Sequence, residues 1–478
     1  AGQGVTGVPG STSPPDPDGG DGIVQGLAPN VEIIPMGHFF DYPPNSLAAY
    51  DVTYSSIFFA AEGYDGNVDT HDDQAQIASS SFGNSYPVNV GGHNYYDRLM
   101  DWVGSQYTEN TLFINSEGNE GSAFGTMGAP AGGQGILSVG ASSNQYYRVD
   151  SWNAYDGGPN PSYGEVTGMT SRGPDCIGAH GPDILTNGQY GYGGDPLNNH
   201  AWTMGEFGGN DSYALWSGTS LSAPNAAGIA ALVYEAYWEN HGMRPSNQMV
   251  KKMIMQGADN LKNSPFAQGP GIANALKSVN LAMDEQGLFV PETSEWRPGV
   301  NPTTGTPTEH NVNMMEPGES VTDSLTLHNM AGTAVDYSVN PVHLEHVGTT
   351  TLTLESGTMD HPVFLITSDG VYDMEGNMVA ELDVPDADLF RFGAHTPYDN
   401  LGATSLVEFH DWTDVNGNGS YDGFDERNRI GYCWAAYGGT DQTSDYFEIH
   451  DPMERTHDGI VVKMRYYGGD SFEFDLAI

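Results

Sequence analysis

The sequence contains 478 residues, 38% of them hydrophobic, which is enough for two or three domains with packed cores. Its 62 Asp and Glu residues against 15 Lys and Arg residues give a formal net charge of −47, which repels polyanions and argues against nucleic-acid binding. No apolar run reaches the roughly 18 residues that a membrane-spanning helix needs. The two cysteines, Cys176 and Cys433, do not form the disulfide framework of a small secreted domain, and whether they pair stays open.

The first part of the chain has the pattern of an α/β domain. Residues 8–22 consist almost wholly of Pro, Gly, Ser, Thr and Asp and predict a surface loop. Short apolar runs then alternate with longer helical stretches, which predicts a parallel sheet within a domain that we assign to residues 1–285. The predicted strands are 31–36, 76–81, 111–116 and 135–140, and the predicted helices are 46–62, 92–106, 220–238 and 246–257.

The second part of the chain has the pattern of antiparallel strands. Residues 286–312 include a stretch rich in Pro, Thr and Gly and predict a linker. Residues 313–400 alternate polar and apolar side chains between turn signals, which predicts a β-sandwich-like domain. Residues 401–478 continue in short strands such as 460–466 and 471–477, and we expect a β-rich tail there.

The sharpest chemical signal is the segment 217–224, SGTSLSAP, which runs into a helical pattern. Its small residues let a tight turn lead into the helix, and Pro224 is tolerated because the first helical turn has no amide hydrogen bond to lose. Ser220 then lies at the positively polarised helix start. Taken alone, such a serine is usually just a helix cap.

The longer string SGTSLSAPNAAGIAAL resembles the serine motif of the subtilisin-like proteases. The resemblance implies a three-layer α/β/α fold with a parallel sheet, with Ser220 as the nucleophile. The segment 117–121, EGNEG, resembles the oxyanion segment of the same family, which implies that the Asn119 side-chain amide stabilises the developing negative oxygen. Without the resemblance, an Asn between glycines is usually a turn residue.

Other segments resemble the family in the expected order: 26–29 (GLAP), 80–83 (SSFG), 171–174 (SRGP) and 181–184 (GPDI), although the last continues as LTNG where members have VAPG. The resemblance implies an extended protein or peptide substrate held between two chain segments by strand addition. The implied substrate-binding residues are Ser81, Phe82, Gly83, Ser116, Glu117 and Gly118.

The family's D-x-G and H-G-T-H-x-A-G segments are absent from this sequence. A serine hydroxyl is a poor nucleophile without an imidazole that takes its proton and a carboxylate that orients the imidazole. Because Ala1-Gly2 resembles the end of the histidine segment, we expect the catalytic Asp and His upstream of this chain, and we expect the isolated chain to be inactive. The histidines that are present, among them His38 and His180, are expected in surface or loop roles.

A second constellation is the segment 414–425, DVNGNGSYDGFD, whose oxygen ligands follow the rhythm of an EF-hand loop. It resembles the calcium loops of dockerin-like modules and predicts one Ca²⁺ site, with an Asn-Gly turn in an acidic protein as the alternative. Strands on both sides would make the site stabilising and not a sensor. The predicted ligands are Asp414, Asn416, Asn418, Ser420 (through its carbonyl), Asp422 and Asp425.

The sequence therefore predicts a secreted, extracellular subtilisin-like serine endopeptidase that works through an acyl-enzyme, with a β-sandwich-type region and a calcium loop behind it. The alternative is a non-catalytic binding or structural protein that kept the subtilisin scaffold. Asp and His segments before Ala1 would favour the protease, whereas a reading frame that starts close to Ala1 would favour the scaffold.

Overall fold

The computed structural model describes residues 5–6, 23–24, 26–36, 46–70, 73–83, 95–120, 125–133, 135–143, 149–151, 154–155, 166–175, 180–189, 191–194, 213–285, 289–291, 327–329, 334, 336, 338, 346, 348–354, 361–381, 389–395, 404–423, 427–436, 444–450, 456–468 and 472–477. Its helices are α1 (Ser46–Glu62), α2 (Tyr95–Trp102), which continues as a π-helical turn (Val103–Tyr107), α3 (Thr219–His241), α4 (Asn247–Gln256), α5 (Pro265–Gln268) and α6 (Ala275–Ala282). None of these helices is long and apolar enough to cross a bilayer.

The strands of the first half are β1 (Val5–Thr6), β2 (Ile23–Val24), β3 (Ile77–Ser80), β4 (Leu112–Ser116), β5 (Leu137–Ser142), β6 (Val149–Ser151), β7 (Ala154–Tyr155), β8 (Ile184–Asn187), β9 (Gly191–Gly194) and β10 (Tyr213–Trp216). Those of the second half are β11 (Phe289–Pro291), β12 (Leu327–Asn329), β13 (Thr349–Leu354), β14 (His361–Thr367), β15 (Gly370–Asp373), β16 (Met378–Glu381), β17 (Leu389–His395), β18 (Thr404–Trp412), β19 (Arg427–Ala436), β20 (Ser444–His450), β21 (Gly459–Gly468) and β22 (Phe472–Ala477).

The core of the first half is a parallel sheet in the order β3-β4-β5-β8. Side chains of β4 alternate between its faces: Leu112 and Ile114 pack with α3, α4 and α6, whereas Phe113 packs on the opposite side with residues of α1 and α2. Both faces are therefore buried, which confirms the predicted three-layer α/β/α architecture with a parallel sheet.

The predicted helices agree with the structure more closely than the predicted strands do. The helix expected over 46–62 has these bounds, and the helix expected over 220–238 is extended to Thr219–His241. The strand predicted at 31–36 is wrong, since this segment forms no strand and leaves Ile33 62% and Ile34 47% exposed. An apolar run becomes a strand only when another backbone pairs with it, and none of the described segments does so. The predicted loop 8–22 and most of the predicted linker 286–312 lie outside the described residues.

The second half contains two antiparallel sheets, one in the order β13-β22-β17-β20 and the other in the order β16-β15-β14-β21-β18-β19. The ring of Phe392 on β17 stacks on that of Phe409 on β18 at 4.5 Å, so the two sheets pack face to face as a β-sandwich. β13 pairs with β22, and β14 pairs with β21. The division predicted at residue 400 therefore falls inside this sandwich.

Candidate active site

Ser220 is the second residue of α3, at the carboxyl edge of the parallel sheet. The Thr186 hydroxyl on β8 donates to the carbonyl of Ser222 at 2.7 Å, and the Asn225 side chain donates to the carbonyl of Asn187 at 2.9 Å. These bonds fix the first turn of the helix on the sheet. The cap position belongs to Gly218, so the Ser220 side chain is not the helix cap.

Asn119 follows β4 and faces the same helix start. Its side-chain oxygen accepts two hydrogen bonds from Thr219, one from the backbone N–H at 2.8 Å and one from the hydroxyl at 3.0 Å. The Thr219 hydroxyl also accepts from the N–H of Gly118 at 3.2 Å. Because the amide oxygen is held in this way, Nδ2 is the donor that the Asn119 side chain brings to the cavity it shares with Ser220. Thr219 has no assigned role in the sequence interpretation, although it belongs to the Gly-Thr-Ser signal.

The turn that carries Asn119 is supported by the segment Ser171–Pro174. Ser171 donates its N–H to the carbonyl of Gly118 at 3.0 Å, and its hydroxyl accepts from the N–H of Glu120 at 3.0 Å. Gly118 has φ +120°, and a Cβ there would lie 2.7 Å from the Ser171 hydroxyl oxygen. Glycine is required on both grounds.

One cavity of about 110 Å³ joins these groups. Ser220 and Asn119 line it together with all six predicted substrate-binding residues, which are Ser81, Phe82, Gly83, Ser116, Glu117 and Gly118. The Ser81 hydroxyl donates to the carbonyl of Ser220 at 3.0 Å and ties the predicted substrate edge to the helix start. Within the described part of the chain, no His and no Asp lines this cavity.

Glu117 is 0% exposed although it lines the cavity. Burial raises the pKa of the Glu117 carboxyl well above its ordinary value, and the nearby Asp183 carboxylate adds to the shift. Asp183 itself forms an ion pair with Lys251 of α4 at 2.9 Å, and both side chains are almost fully buried. The resemblance to the family predicts Glu117 as a substrate-binding residue, but nothing in the sequence indicates that its carboxyl group is buried beside other acids.

The predicted calcium loop lies between β18 and β19 in the sandwich, so strands flank it as expected. The Asp414 carboxylate accepts backbone N–H groups from Gly417 at 2.7 Å, Asn418 at 3.1 Å and Gly419 at 2.7 Å. The amide groups of Asn416 and Asn418 both donate to Asp422, at 2.5 and 2.6 Å.

The potential metal ligands in this loop are hard oxygen atoms of the kind that suits Ca²⁺. However, no group of three or more His, Cys, Asp or Glu side chains within the described residues is arranged to hold a metal ion. Ser420 is exposed in the loop, and Asp425 lies outside the described residues. The calcium site stays a prediction.

Comparison with known proteins agrees with the geometry. Residues 4–271, more than half of the chain, match the model of the subtilase family. Serine protease AprX of Bacillus subtilis (strain 168) is 28% identical over 215 residues, 45% of this chain and 45% of that protein. Tripeptidyl-peptidase 2 of Oryza sativa subsp. japonica is 30% identical over 198 residues, 40% of this chain and 14% of that protein.

Among solved structures, Sphericase aligns at 22% identity with a TM-score of 0.32, covering 47% of this chain and 63% of the other. The chain spans less than half the length of each of the two curated relatives.

Proposed function

The chain belongs to the subtilase family, and from this premise we propose that it is a serine endopeptidase that cleaves extended peptides through an acyl-enzyme. Ser220 attacks the peptide carbonyl, and the carbonyl oxygen takes up negative charge. Nδ2 of Asn119 and the backbone N–H of Ser220 donate to that oxygen, and water later releases the acyl group.

The observation that carries this proposal is the pair of hydrogen bonds from Thr219 to the Asn119 side-chain oxygen, at 2.8 and 3.0 Å. A side chain that merely occupied a turn would not need its amide fixed from the neighbouring helix. The fixed amide presents a donor beside the Ser220 side chain before any substrate arrives, which is the preorganisation that stabilises a tetrahedral oxyanion.

The catalytic imidazole and the carboxylate that orients it would come from outside the described residues. Support comes from the cavity, whose described lining has a serine and an oxyanion donor but no His and no Asp. Without that imidazole, Ser220 keeps its proton and acylation is slow.

The proposal is tested by labelling Ser220 with a fluorophosphonate probe in the natively matured protein and identifying the modified peptide by mass spectrometry. We expect labelling at Ser220 that is lost in Ser220→Ala and is retained in Ser217→Ala, a matched serine three residues earlier. Labelling of both variants to the same extent, or of neither the variants nor the parent, would contradict it.

The lack of a His in the described lining of this cavity supports a second candidate, a non-catalytic protein that binds extended peptides on the subtilase scaffold. In that case a peptide would bind in the cavity with equal affinity to the parent and to Ser220→Ala, with no cleavage over long incubation. Cleavage by the parent but not by Ser220→Ala would favour the endopeptidase.

Two further proposals accompany the function. We place one stabilising Ca²⁺ in the segment 414–425, on the support of the EF-hand spacing of its oxygen-bearing side chains. We place the protein outside the cell, on the support of its family and its acid-rich composition. Immunodetection of the chain in the culture medium of its source, with a cytoplasmic enzyme as a lysis control, tests the second.

A further inference from the structure

The carboxyl group of Glu117 is enclosed in the interior. The side chain is 0% exposed, and among the described residues neither of its oxygen atoms has a hydrogen-bond partner. The wall around it is tight, because a Cβ built on Gly181 would lie 2.7 Å from Glu117 Oε1. A carboxylate confined in this way loses its hydration, and this loss outweighs the opposing effect of the Ser138 side chain, which lowers the pKa of the carboxyl.

The charges around Glu117 do not compensate for an ionised form. The carboxylates of Asp183, Asp175 and Asp97 all disfavour a negative charge there. The buried ammonium of Lys251 is held by Asp183 at 2.9 Å and by the carbonyl of Ile136 at 2.7 Å.

Two further basic residues belong to the neighbouring segments, Arg172 in Ser171–Pro174 and His180 next to Gly181. Arg172 is 1% exposed, and His180 adjoins Gly181, with its ring 6.1 Å from that of Phe266. The largest causes of the raised pKa of Glu117 are its burial and the Asp183 carboxylate. The burial and the surrounding charges therefore both favour the neutral acid.

The backbone connects this side chain directly to the oxyanion donor. The N–H of Glu117 donates to the carbonyl of Val139 on β5 at 3.0 Å, and its carbonyl accepts from the N–H of Gly128 at 3.3 Å. The next two residues are Gly118 and Asn119. A displacement of the Glu117 backbone therefore acts directly on the turn that presents the Asn119 amide.

We propose that Glu117 is a positioning residue that holds the Gly118–Asn119 turn in its catalytic geometry as a neutral carboxylic acid, and that loss of its proton releases the turn. This inference rests on the proposed endopeptidase function. The ionised group must reach water, and Glu117 already lines the cavity of the candidate site. Moving there displaces the turn, and the oxyanion loses its side-chain donor.

The sign of the pH effect follows from the direction of the shift. The pKa of Glu117 is raised in the folded state, so the folded protein binds more protons than the unfolded chain between the ordinary glutamate value of about 4.3 and the raised value. Stability therefore falls as pH rises through that interval. Catalysis falls at the upper end of it, where Glu117 ionises in the folded state.

The test is the pH dependence of peptide hydrolysis by the matured protein, with Glu117→Gln, Glu117→Ala and Glu120→Gln as variants. Above the ionisation of Glu117, the parent should lose kcat about tenfold per pH unit with little change in KM. Glu117→Gln, which cannot ionise, should lack this alkaline limb. Glu117→Ala should lower kcat at every pH because the side-chain support is gone. Glu120→Gln, in the same turn, should keep the limb of the parent.

A second readout does not depend on hydrolysis. The side-chain amide signal of Asn119, assigned by Asn119→Ser in ¹⁵N-asparagine-labelled protein, should shift with pH in the parent and stay constant in Glu117→Gln. A constant signal in both, or an alkaline limb shared by the parent and Glu117→Gln, overturns the role of Glu117. If hydrolysis survives Ser220→Ala, the proposed function fails instead, and the Asn119 signal still decides whether Glu117 positions the turn.

Discussion

Replacement of Lys251 by Met tests whether the buried ion pair beneath the active site supports the sheet. The ammonium of Lys251 contacts the Asp183 carboxylate at 2.9 Å and the carbonyl of Ile136 at 2.7 Å. The side chains of Lys251 and Asp183 are only 1% and 3% exposed. Lys251→Met keeps most of the volume and the apolar stem but removes both interactions.

The expected cost follows from what is left behind. Asp183 keeps its hydrogen bonds from the N–H of Ser138 at 2.8 Å and from the Ser138 hydroxyl at 3.2 Å, but its charge becomes uncompensated in the interior. Removing one partner of a buried ion pair typically costs about 3 to 5 kcal/mol. The matched control is Lys252→Met on the next residue, which is only partly buried and should cost about 1 kcal/mol or less.

Hydrogen exchange measured by mass spectrometry separates this effect from the rest of the chain. In Lys251→Met, peptides from β4 and β5 should lose protection by about 100-fold or more, because every 1.4 kcal/mol is a factor of ten. Peptides from β18 and β21 in the sandwich serve as an internal reference and should not change. Equal protection in Lys251→Met and Lys252→Met would refute the reasoning.

Two further predictions concern the oxyanion donor and the calcium loop. Asn119→Leu should slow fluorophosphonate labelling of Ser220 by about 10² to 10³-fold, whereas Thr219→Val, which only loosens the amide, should slow it by about tenfold; equal rates in the two variants would contradict the proposed geometry. Ca²⁺ should raise the melting temperature of the parent and of Asp369→Asn, an exposed turn control, but not of Asp414→Asn, and a rise that persists in Asp414→Asn would refute the site.

Local signals in the sequence were sufficient to predict those helices and turns that depend on local chemistry. The small residues around Ser220 indicate a tight turn into a helix, and α3 begins at Thr219 as this chemistry requires. The segment 31–36 has an equally apolar pattern but forms no strand, because a strand depends on a partner whose position the pattern does not contain. For the same reason the sequence could not show that the residues on both sides of position 400 belong to one sandwich, since β13 and β22, which pair, are far apart in the sequence.

The candidate site shows the same limit at the level of single side chains. The resemblance to the family indicated Ser220 and Asn119, and the structure places them in one cavity. The contact of Asn119 with Thr219 joins residues 100 positions apart, and that of Glu120 with Ser171 joins residues 51 apart. A periodic pattern of apolar residues does not reveal contacts between residues so far apart in the sequence.

Asp183 and Glu117 are two neighbouring buried acids in different electrostatic settings, and this difference gives a last prediction. Asp183 is paired with Lys251, and its negative charge helps to raise the pKa of Glu117. Asp183→Asn removes that charge and at the same time frees the Lys251 ammonium from its partner. Both changes favour the ionised form of Glu117, so its pKa should fall and the alkaline limb of kcat should move to lower pH.

The measurement is the pH profile of kcat for Asp183→Asn at a temperature where circular dichroism shows the variant to be folded. In the double variant Asp183→Asn with Glu117→Gln the limb should be absent, because no ionisable group remains at position 117. A limb that stays where it is in Asp183→Asn, or moves to higher pH, would show that the charge at position 183 does not act on Glu117. The alkaline loss would then have to arise from a different titrating group.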